Sequence, residues 1–273
     1  MGKVILITGA SSGIGKDAAI QLIKEGHRVY TAARRIEKMQ DIKDLGGFPI
    51  QMDVSDDTDV QHVVDTIVGK EGKIDVLWNN AGYGLYGAVE DIPIEDARRQ
   101  FEVNLFGLAN LTQKVLPYMR KAKSGTIINT SSMGGKMYTP MGAWYHSTKH
   151  ALEGWSDCLR LELKPFNVNV VILEPGAIAT EFGEVLYEPV LKYSGNSAYA
   201  HMANKVAKAT KDMYGNPGGM SPTSVITKTV SKIVSSRKPK TRYRVGKYAK
   251  PMVWMRIYLG DRVFDSMMMS QVK

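Results

Sequence analysis

The chain has 273 residues, of which 44% are hydrophobic, so its length allows one large or two small domains with ample core. Its net charge of +9 is local: residues 237–262 hold nine Arg or Lys against one acid, a net +8, which leaves +1 for all the rest. A single cysteine excludes an intrachain disulfide, and no apolar run of about 20 residues is present to cross a bilayer.

The opening MGKVILITG lacks a basic leader followed by a long apolar run, so no export signal is expected and the chain reads as cytoplasmic. The glycosylation-type tripeptides beginning at Asn110 and Asn129 then have no opportunity to be used. Lys3 to Ile7 is a short apolar strand running into TGASSGIG, after which Ala18, Ala19, Leu22 and Ile23 set a helical pattern. Strand, glycine turn and helix in that order are what a dinucleotide site requires. Gly9 allows the tight turn, Gly13 lets backbone approach a pyrophosphate, and Gly15 lets the helix pack against the sheet, while the helix N-terminus offers unpaired N–H groups to phosphate.

Arg28 to Ala32 is the second strand, and it ends in Ala33-Arg34-Arg35. A site for NAD usually has a carboxylate at the end of this strand for the ribose hydroxyls. Ala33 offers none, and the guanidinium of Arg34 can instead grip a 2′-phosphate, with Arg35 as a second contact. Phe48 to Met52 reads as the third strand, the segment VQHVVDTIVGKEG as an amphipathic helix, and Ile74 to Trp78 as the fourth strand, which opens into Asn79-Asn80-Ala81-Gly82. Tyr83 to Val89 is a glycine-rich connection bordering a cleft. Residues 94–120 form a long helical region with Phe101, Leu105, Leu108, Leu111 and Val115 on one side, closed by a kink or end at Pro117.

Strand Thr126 to Thr130 leads to Ser132, whose hydroxyl stands at the strand end. The following helix carries Ala151, Leu152, Trp155, Leu159 and Leu163 at three- and four-residue spacing, which puts Tyr145 and Lys149 on one face and Cys158 within the apolar pattern, as a buried small hydrophobe. An ammonium beside a phenol favours the phenolate and is expected to lower the tyrosine pKa toward neutrality, as a proton donor or acceptor for an alcohol/carbonyl pair requires. Asn167 to Leu173 is the sixth strand, ended by Glu174-Pro175-Gly176. A helix over 221–236 is entered through Ser221 as N-cap with Pro222 at its first position, and a last strand lies near Thr241 to Val245. Strands and helices alternating through residue 173 imply an α/β fold with a doubly wound parallel sheet and its crevice at the C-terminal strand ends.

Together these motifs resemble the short-chain dehydrogenases/reductases over nearly the whole chain, with similarity to steroid- and retinol-dehydrogenase-like members. The resemblance implies a single Rossmann-fold domain over 1–273. Thr8-Gly9-x-x-x-Gly13-x-Gly15 matches that family's cofactor fingerprint, and Asn104, Ser132, Tyr145 and Lys149 match its catalytic asparagine, serine and Tyr-x-x-x-Lys pair. The resemblance implies cofactor contacts at Gly9, Ser11, Ser12, Gly13, Ile14 and Gly15; an NADP(H)-preferring pattern at Arg34 and Arg35; and adenine contacts at Asp53 and Val54. Further contacts are implied at Asn80, Ala81 and Gly82, at Tyr145 and Lys149, and at Pro175, Gly176, Ile178 and Thr180. Asn79 is implied to stabilise the sheet, and Asn104 to hydrogen-bond a water and backbone on a proton path from the lysine.

The implied activity is NADP(H)-dependent interconversion of a carbonyl and a secondary alcohol, with no metal. Residues 177–220 coincide with the family's substrate lid, and their Phe182, Leu186, Tyr187, Tyr193, Tyr199, Met202, Met213, Tyr214 and Met220 join Met133, Met137, Tyr138, Met141 and Trp144 in implying an apolar pocket for a bulky ketone or alcohol. The partner is a small-molecule carbonyl or alcohol, and the assembly a homodimer or homotetramer. An NAD(H)-dependent dehydrogenase and a nonenzymatic nucleotide-sensing scaffold are the alternatives; retention of all four catalytic side chains argues against the scaffold. The basic tail carries no nucleic-acid module, so no nucleic acid is expected. The extension over 247–273 is expected to dock on the body, with Trp254, Tyr258 and Phe264 covering apolar surface and Met267-Met268-Met269 as flexible apolar material, in preference to contact with an anionic membrane.

Overall fold

The computed structural model describes residues 2–216, 218–270 and 272. The strands are β1 (Val4–Thr8), β2 (Arg28–Ala33), β3 (Phe48–Gln51), β4 (Val76–Asn79), β5 (Gly125–Thr130), β6 (Val168–Pro175) and β7 (Arg242–Val245). They form one parallel sheet in the order β3-β2-β1-β4-β5-β6-β7. Order reverses between β1 and β4, which opens a crevice at their C-terminal ends.

The sheet is buried on both faces, so its strands are continuously apolar. In β1, Val4 and Leu6 point to one layer while Ile5 and Ile7 point to the other. The first layer holds α3 (Asp57–Glu71), α5 (Leu108–Ala122) and α6 (Ala143–Leu163), through Val60, Val64, Leu111, Val115, Leu159 and Leu163. The second holds α1 (Gly13–Lys24), α2 (Gln40–Asp44) and α9 (Ser224–Ser235), through Ala18, Leu22, Ile42, Ile226, Val230 and Ile233. Local signals set the helix ends. In α3 the Asp56 carboxylate accepts from the N–H groups of Thr58 at 2.9 Å and Asp59 at 3.0 Å, and Gly72 closes the helix at φ 70°.

The expected single helix over 94–120 is three stretches: α4 (Ile94–Phe101), a π-helical segment (Glu102–Gly107) and α5. The π turn lets the backbone accommodate Asn104 and brings Gly107 against Val54, where an added Cβ would lie 2.5 Å from the Val54 carbonyl oxygen. Pro117 neither ends nor begins an element; it sits inside α5 on the exposed side, where the carbonyl of exposed Gln113 can meet water. Cys158 is exposed, contrary to its place in the apolar pattern, because Leu159 rather than its neighbour turns inward. Ser221 does not cap α9, which begins at Ser224; its hydroxyl accepts instead from the Lys247 N–H at 3.0 Å.

Beyond β6 the chain builds α7 (Glu184–Ser194) and α8 (Ala200–Gly215), and after β7 it closes with α10 (Ala249–Tyr258) and α11 (Gly260–Ser270). The two terminal helices dock through Val253, Phe264 and Met268 onto Met137, so the methionine run is ordered helix. Phe264 is buried as expected, but Trp254 and Tyr258 are 55% and 69% exposed, contrary to their expected place over apolar surface. The tail is also less basic in effect than in composition, since Arg244 pairs with the fully buried Glu174 at 2.5 Å and Arg242 pairs with Glu153, Asp157 and Glu174. Among the described residues no helix is long and apolar enough to cross a membrane.

Candidate active site

The C-terminal strand ends, the α7–α8 region and the terminal helices enclose a cavity of about 1230 Å³. One half is lined by the glycine turn after β1. Gly9 has φ 68°, and a Cβ there would lie 2.7 Å from the Cα of Ala81, so the turn excludes any side chain. Gly13 (φ 58°) leaves bare backbone facing Thr180, whose Cγ2 would stand 3.5 Å from an added Cβ. A Cβ at Gly15 would meet the Asn80 side chain at 2.6 Å and the Gly9 carbonyl at 2.8 Å, which is the close helix approach expected from the spacing. The first turn of α1 has neither a side-chain cap nor an acidic residue, leaving its N–H groups open toward the cavity wall formed by Ser11, Ser12, Gly13 and Ile14.

Asn80 ties the ends of β4 and β1 together. Its amide donates to the Thr8 carbonyl at 3.1 Å, and the N–H groups of Asn80 and Ala81 both donate to Thr8 Oγ1. Asn79 lies behind, donating to Thr112 at 3.0 Å and to Asn129 at 2.9 Å, and so joins β4, β5 and α5 as a structural residue. Asp53 and Val54 reach the cavity, but both Asp53 oxygens are engaged, one by Ser55 and the other by Arg99 at 2.9 Å. Burial opposes ionisation there, but the Ser55 bonds and the Arg99 guanidinium outweigh it and hold the carboxyl below its ordinary value. Arg34 and Arg35 are exposed at the same rim, with Arg35 reaching Ser11 Oγ at 3.4 Å. Gly176 permits another close approach: a Cβ would stand 2.1 Å from the Lys247 carbonyl. Pro175, Ile178 and Thr180 line the same wall.

This donor set fits a dinucleotide: bare backbone at Gly9 and Gly13, open N–H groups on α1 and cations at the rim. It holds no carboxylate at the end of β2, where Ala33 stands.

Ser132, Tyr145 and Lys149 line the same cavity together. Ser132 begins a short 3-10 turn (Met133–Gly135) with its Oγ accepting from the Gly134 N–H at 3.0 Å. Lys149 Nζ donates to the Thr130 carbonyl at 2.9 Å and lies 5.9 Å from the centre of the Tyr145 ring. Asn104 does not line the cavity; it stands one layer back, its carbonyl oxygen accepting from the Tyr83 N–H at 3.0 Å and its amide donating to the Tyr83 carbonyl at 2.9 Å and to Thr148. A Cβ at Gly82 would lie 3.1 Å from Asn104 Oδ1 and 3.7 Å from Lys149 Nζ, so both side chains converge behind that glycine.

The expected lowering of the tyrosine pKa is not found. Burial pushes Tyr145 up to about 12, with only the Ser132 hydroxyl pulling the other way, and burial lowers Lys149 to about 8 against the raising influence of Glu153. Desolvation thus exceeds the attraction between a phenolate and an ammonium that points at a backbone carbonyl.

The sequence reading missed His146. Its Nδ1 donates to the Gly134 carbonyl at 2.9 Å and its Nε2 accepts from the Thr139 N–H at 3.1 Å, which fixes one neutral tautomer. Burial lowers it to about 4, so it stays neutral while pinning the loop between Ser132 and Tyr145. Tyr86, in the connection expected to border the cleft, lies 5.6 Å from Tyr145 between ring centres. Of the expected pocket residues, Phe182, Leu186, Met213, Tyr214, Met133 and Met137 line the cavity. Trp144 and Tyr193 instead pack beneath it on Leu85, Ile92 and Ala97, and Tyr199 and Met202 pack behind α7.

The sheet order and the glycine turn define a dinucleotide-binding oxidoreductase fold, and the chain belongs to the short-chain dehydrogenase family, whose profile matches residues 3–190. It is 36% identical over 260 residues to a 3-ketodihydrosphingosine reductase of Bacteroides thetaiotaomicron, covering 93% of each chain. It is 30% identical over 265 residues to retinol dehydrogenase 8 of Bos taurus, covering 92% of this chain and 84% of that one. A crystal structure of a short-chain dehydrogenase from Streptomyces avermitilis superposes with a TM-score of 0.83 at 30% identity, over 98% of this chain and 96% of that one. The chain is therefore an oxidoreductase of the short-chain dehydrogenase type, with a nucleotide cofactor and hydride transfer between carbonyl and alcohol as its chemistry.

Proposed function

We propose that the chain is an NADP(H)-dependent reductase of bulky, mainly apolar ketones, with the corresponding secondary alcohols as substrates in reverse. The observation that carries this reading is a single cavity whose lining combines the glycine turn and Arg34 with Tyr145 and with the apolar and aromatic Phe182, Leu186, Met213 and Tyr214. Two relatives bear names of a ketone reductase and a retinol dehydrogenase, which agrees with an apolar substrate.

When bound, the dinucleotide supplies or accepts the hydride. Gly9, Gly13 and the first turn of α1 hold its pyrophosphate, together with Ser11, Ser12 and Ile14, while Gly15 lets the helix pack close. Arg34 and Arg35 would hold a 2′-phosphate, Asp53 and Val54 would lie on the adenine side, and Asn80, Ala81, Gly82, Pro175, Gly176, Ile178 and Thr180 would shape the remaining bed. Tyr145 donates a proton to the carbonyl oxygen, and Ser132 orients that oxygen and stabilises its developing charge. With Tyr145 pushed up to about 12, the phenol is protonated at neutral pH and so carries the proton that reduction consumes. Lys149 holds the ribose and, freed from the Thr130 carbonyl, favours the phenolate left behind. Asn104 fixes Tyr83 and supports resupply of the proton through Lys149.

In this reading residues 177–220, including α7 and α8, serve as a lid that excludes water, and residues 247–273 form an extension of the same domain. The protein works in the cytoplasm as a homodimer or homotetramer and takes no nucleic acid. NADPH consumption measured over steroid, retinoid, aromatic and aliphatic carbonyls, with NADP-dependent alcohol oxidation in parallel, tests the reading. Turnover should rise with apolar surface; a preference for phosphorylated or sugar carbonyls would overturn it.

A further inference from the structure

The hairpin of α10 and α11 presents two apolar faces, and among the described residues one of them is buried against the body. The inner face, Val253, Phe264 and Met268, is buried against Met137. The outer face carries Trp254, Ile257, Tyr258 and Val263, which are 55%, 55%, 69% and 54% exposed. Trp254, Ile257 and Tyr258 stand at three- and four-residue spacing on α10, so they form one stripe, and the Trp254 and Tyr258 ring centres are 5.6 Å apart. Such a concentration of exposed aromatic and aliphatic groups signals a surface that something covers.

The charge around this stripe identifies the occupant. Lys250 lies one turn before Trp254 on the same stripe, and Arg262 adjoins Val263; both are exposed. The acids of the hairpin are engaged: Asp261 pairs with Arg256 at 2.7 Å, and Asp265 accepts from Tyr138 at 2.8 Å. The charge left free on the outer face is thus positive. A twofold contact between copies of this chain would bring like charges together in its own interface. An anionic lipid surface complements both features, since Trp and Tyr rings settle at headgroup depth and Lys and Arg face phosphate.

We propose that the α10–α11 hairpin is a peripheral membrane contact, with Trp254, Ile257 and Tyr258 entering the headgroup region of an anionic bilayer and Lys250 and Arg262 facing its phosphates. The hairpin's inner residues Met252 and Met268 also line the cavity around Tyr145. One wall therefore serves the bilayer on one side and the pocket on the other, and an apolar substrate dissolved in the membrane reaches the pocket beside the contact. That last consequence rests on the apolar-carbonyl reading above; the contact itself does not.

The test is sedimentation of the full chain with phosphatidylglycerol-containing vesicles and with phosphatidylcholine vesicles, at low and at physiological salt, without cofactor or substrate. The wild type should partition onto the anionic vesicles, more weakly as salt rises. The double variant Trp254→Ser/Ile257→Ser, with an unchanged melting temperature, should lose about tenfold or more in partitioning because two apolar anchors are removed. Equal partitioning of wild type and variant, or none by either, would overturn the proposal. So would sedimentation velocity showing a wild-type dimer that the double substitution dissociates, because a second copy would then cover the face. NADPH oxidation with a small water-soluble ketone, assayed without vesicles, should be the same in both proteins. Failure of that turnover in both proteins counts against the reductase reading alone.

Discussion

Lys149 Nζ lies 5.9 Å from the centre of the Tyr145 ring, yet its hydrogen bond goes to the Thr130 carbonyl at 2.9 Å. Four residues apart on α6, the two groups are neighbours without being hydrogen-bond partners. Meanwhile the buried ammonium is a liability to the fold, and burial lowers it to about 8.

The liability has a defined pH window. Lys149 titrates near 8 when folded and at 10.5 in its ordinary state, so below pH 8 both states are protonated and the folded state bears the full desolvation cost. Between pH 8 and 10.5 the unfolded chain binds more protons, and this contribution makes stability rise by on the order of 3 kcal/mol. Tyr145 acts in the opposite sense at higher pH: with its folded value raised to about 12 from 10.0, its contribution holds below pH 10 and is lost as pH climbs toward 12. Lys149→Met should therefore be more stable than wild type at pH 7 in urea titrations and lack the rise between pH 8 and 10. A variant less stable than wild type at both pH values would contradict the assignment.

Much of this site was legible in the sequence because its motifs are local. Gly9, Gly13 and Gly15 follow β1 at fixed offsets, Tyr145 and Lys149 are one helical turn apart, and the apolar strand runs reveal a sheet covered on both sides. What stayed hidden depends on longer-range packing. The π-helical turn at Asn104 goes with the close approach of Gly107 to Val54, which no periodicity announces. The desolvation that outweighs the charge of Lys149 depends on how deeply Tyr145 is enclosed, and spacing carries no depth. The pairing of Arg242 and Arg244 with Glu174 arises only where β7 lies beside β6, which the charge count of the tail does not carry. A lone histidine such as His146 has no sequence signal apart from its position beside Tyr145.

The Arg242 cluster should contribute more to stability than its position near the surface suggests. Arg242 contacts Glu153 at 3.1 Å and Glu174 at 3.3 Å, and their side chains are 2% and 0% exposed. Arg242→Met would leave these carboxylates with only Lys136 and Arg244 as counter-charges, at a cost of about 3 kcal/mol in urea unfolding. Lys208→Met, which breaks a pair whose side chains are 75% and 62% exposed, should change stability by less than about 0.5 kcal/mol. Equal effects of the two substitutions would contradict the weight given to burial.

Cofactor choice should depend on Arg34. Calorimetry should find NADPH bound more tightly than NADH, and Arg34→Ala should weaken NADPH by roughly 10- to 150-fold, the loss of one charge-assisted phosphate contact, while sparing NADH. Equal affinities of the wild type for the two cofactors would contradict this account.

The loop between Ser132 and Tyr145 should depend on His146. His146→Leu removes an acceptor for the Thr139 N–H and a donor to the Gly134 carbonyl, leaving both backbone groups unpaired in a buried place. We expect a destabilisation of about 1 to 3 kcal/mol and a fall in kcat with little change in NADPH affinity. His146→Gln, which can retain one of the bonds, should recover part of the turnover; no difference between the two variants would argue against a positioning role.

The central claim is that Tyr145 delivers the proton, and single-turnover NADPH oxidation with an accepted apolar ketone tests it most directly. Tyr145→Phe keeps the ring and its packing against Tyr86 and Phe182 but removes the acid. The account predicts a rate lower by about 10² to 10⁴ at nearly unchanged NADPH affinity. A Tyr145→Phe rate equal to that of the wild type would contradict it.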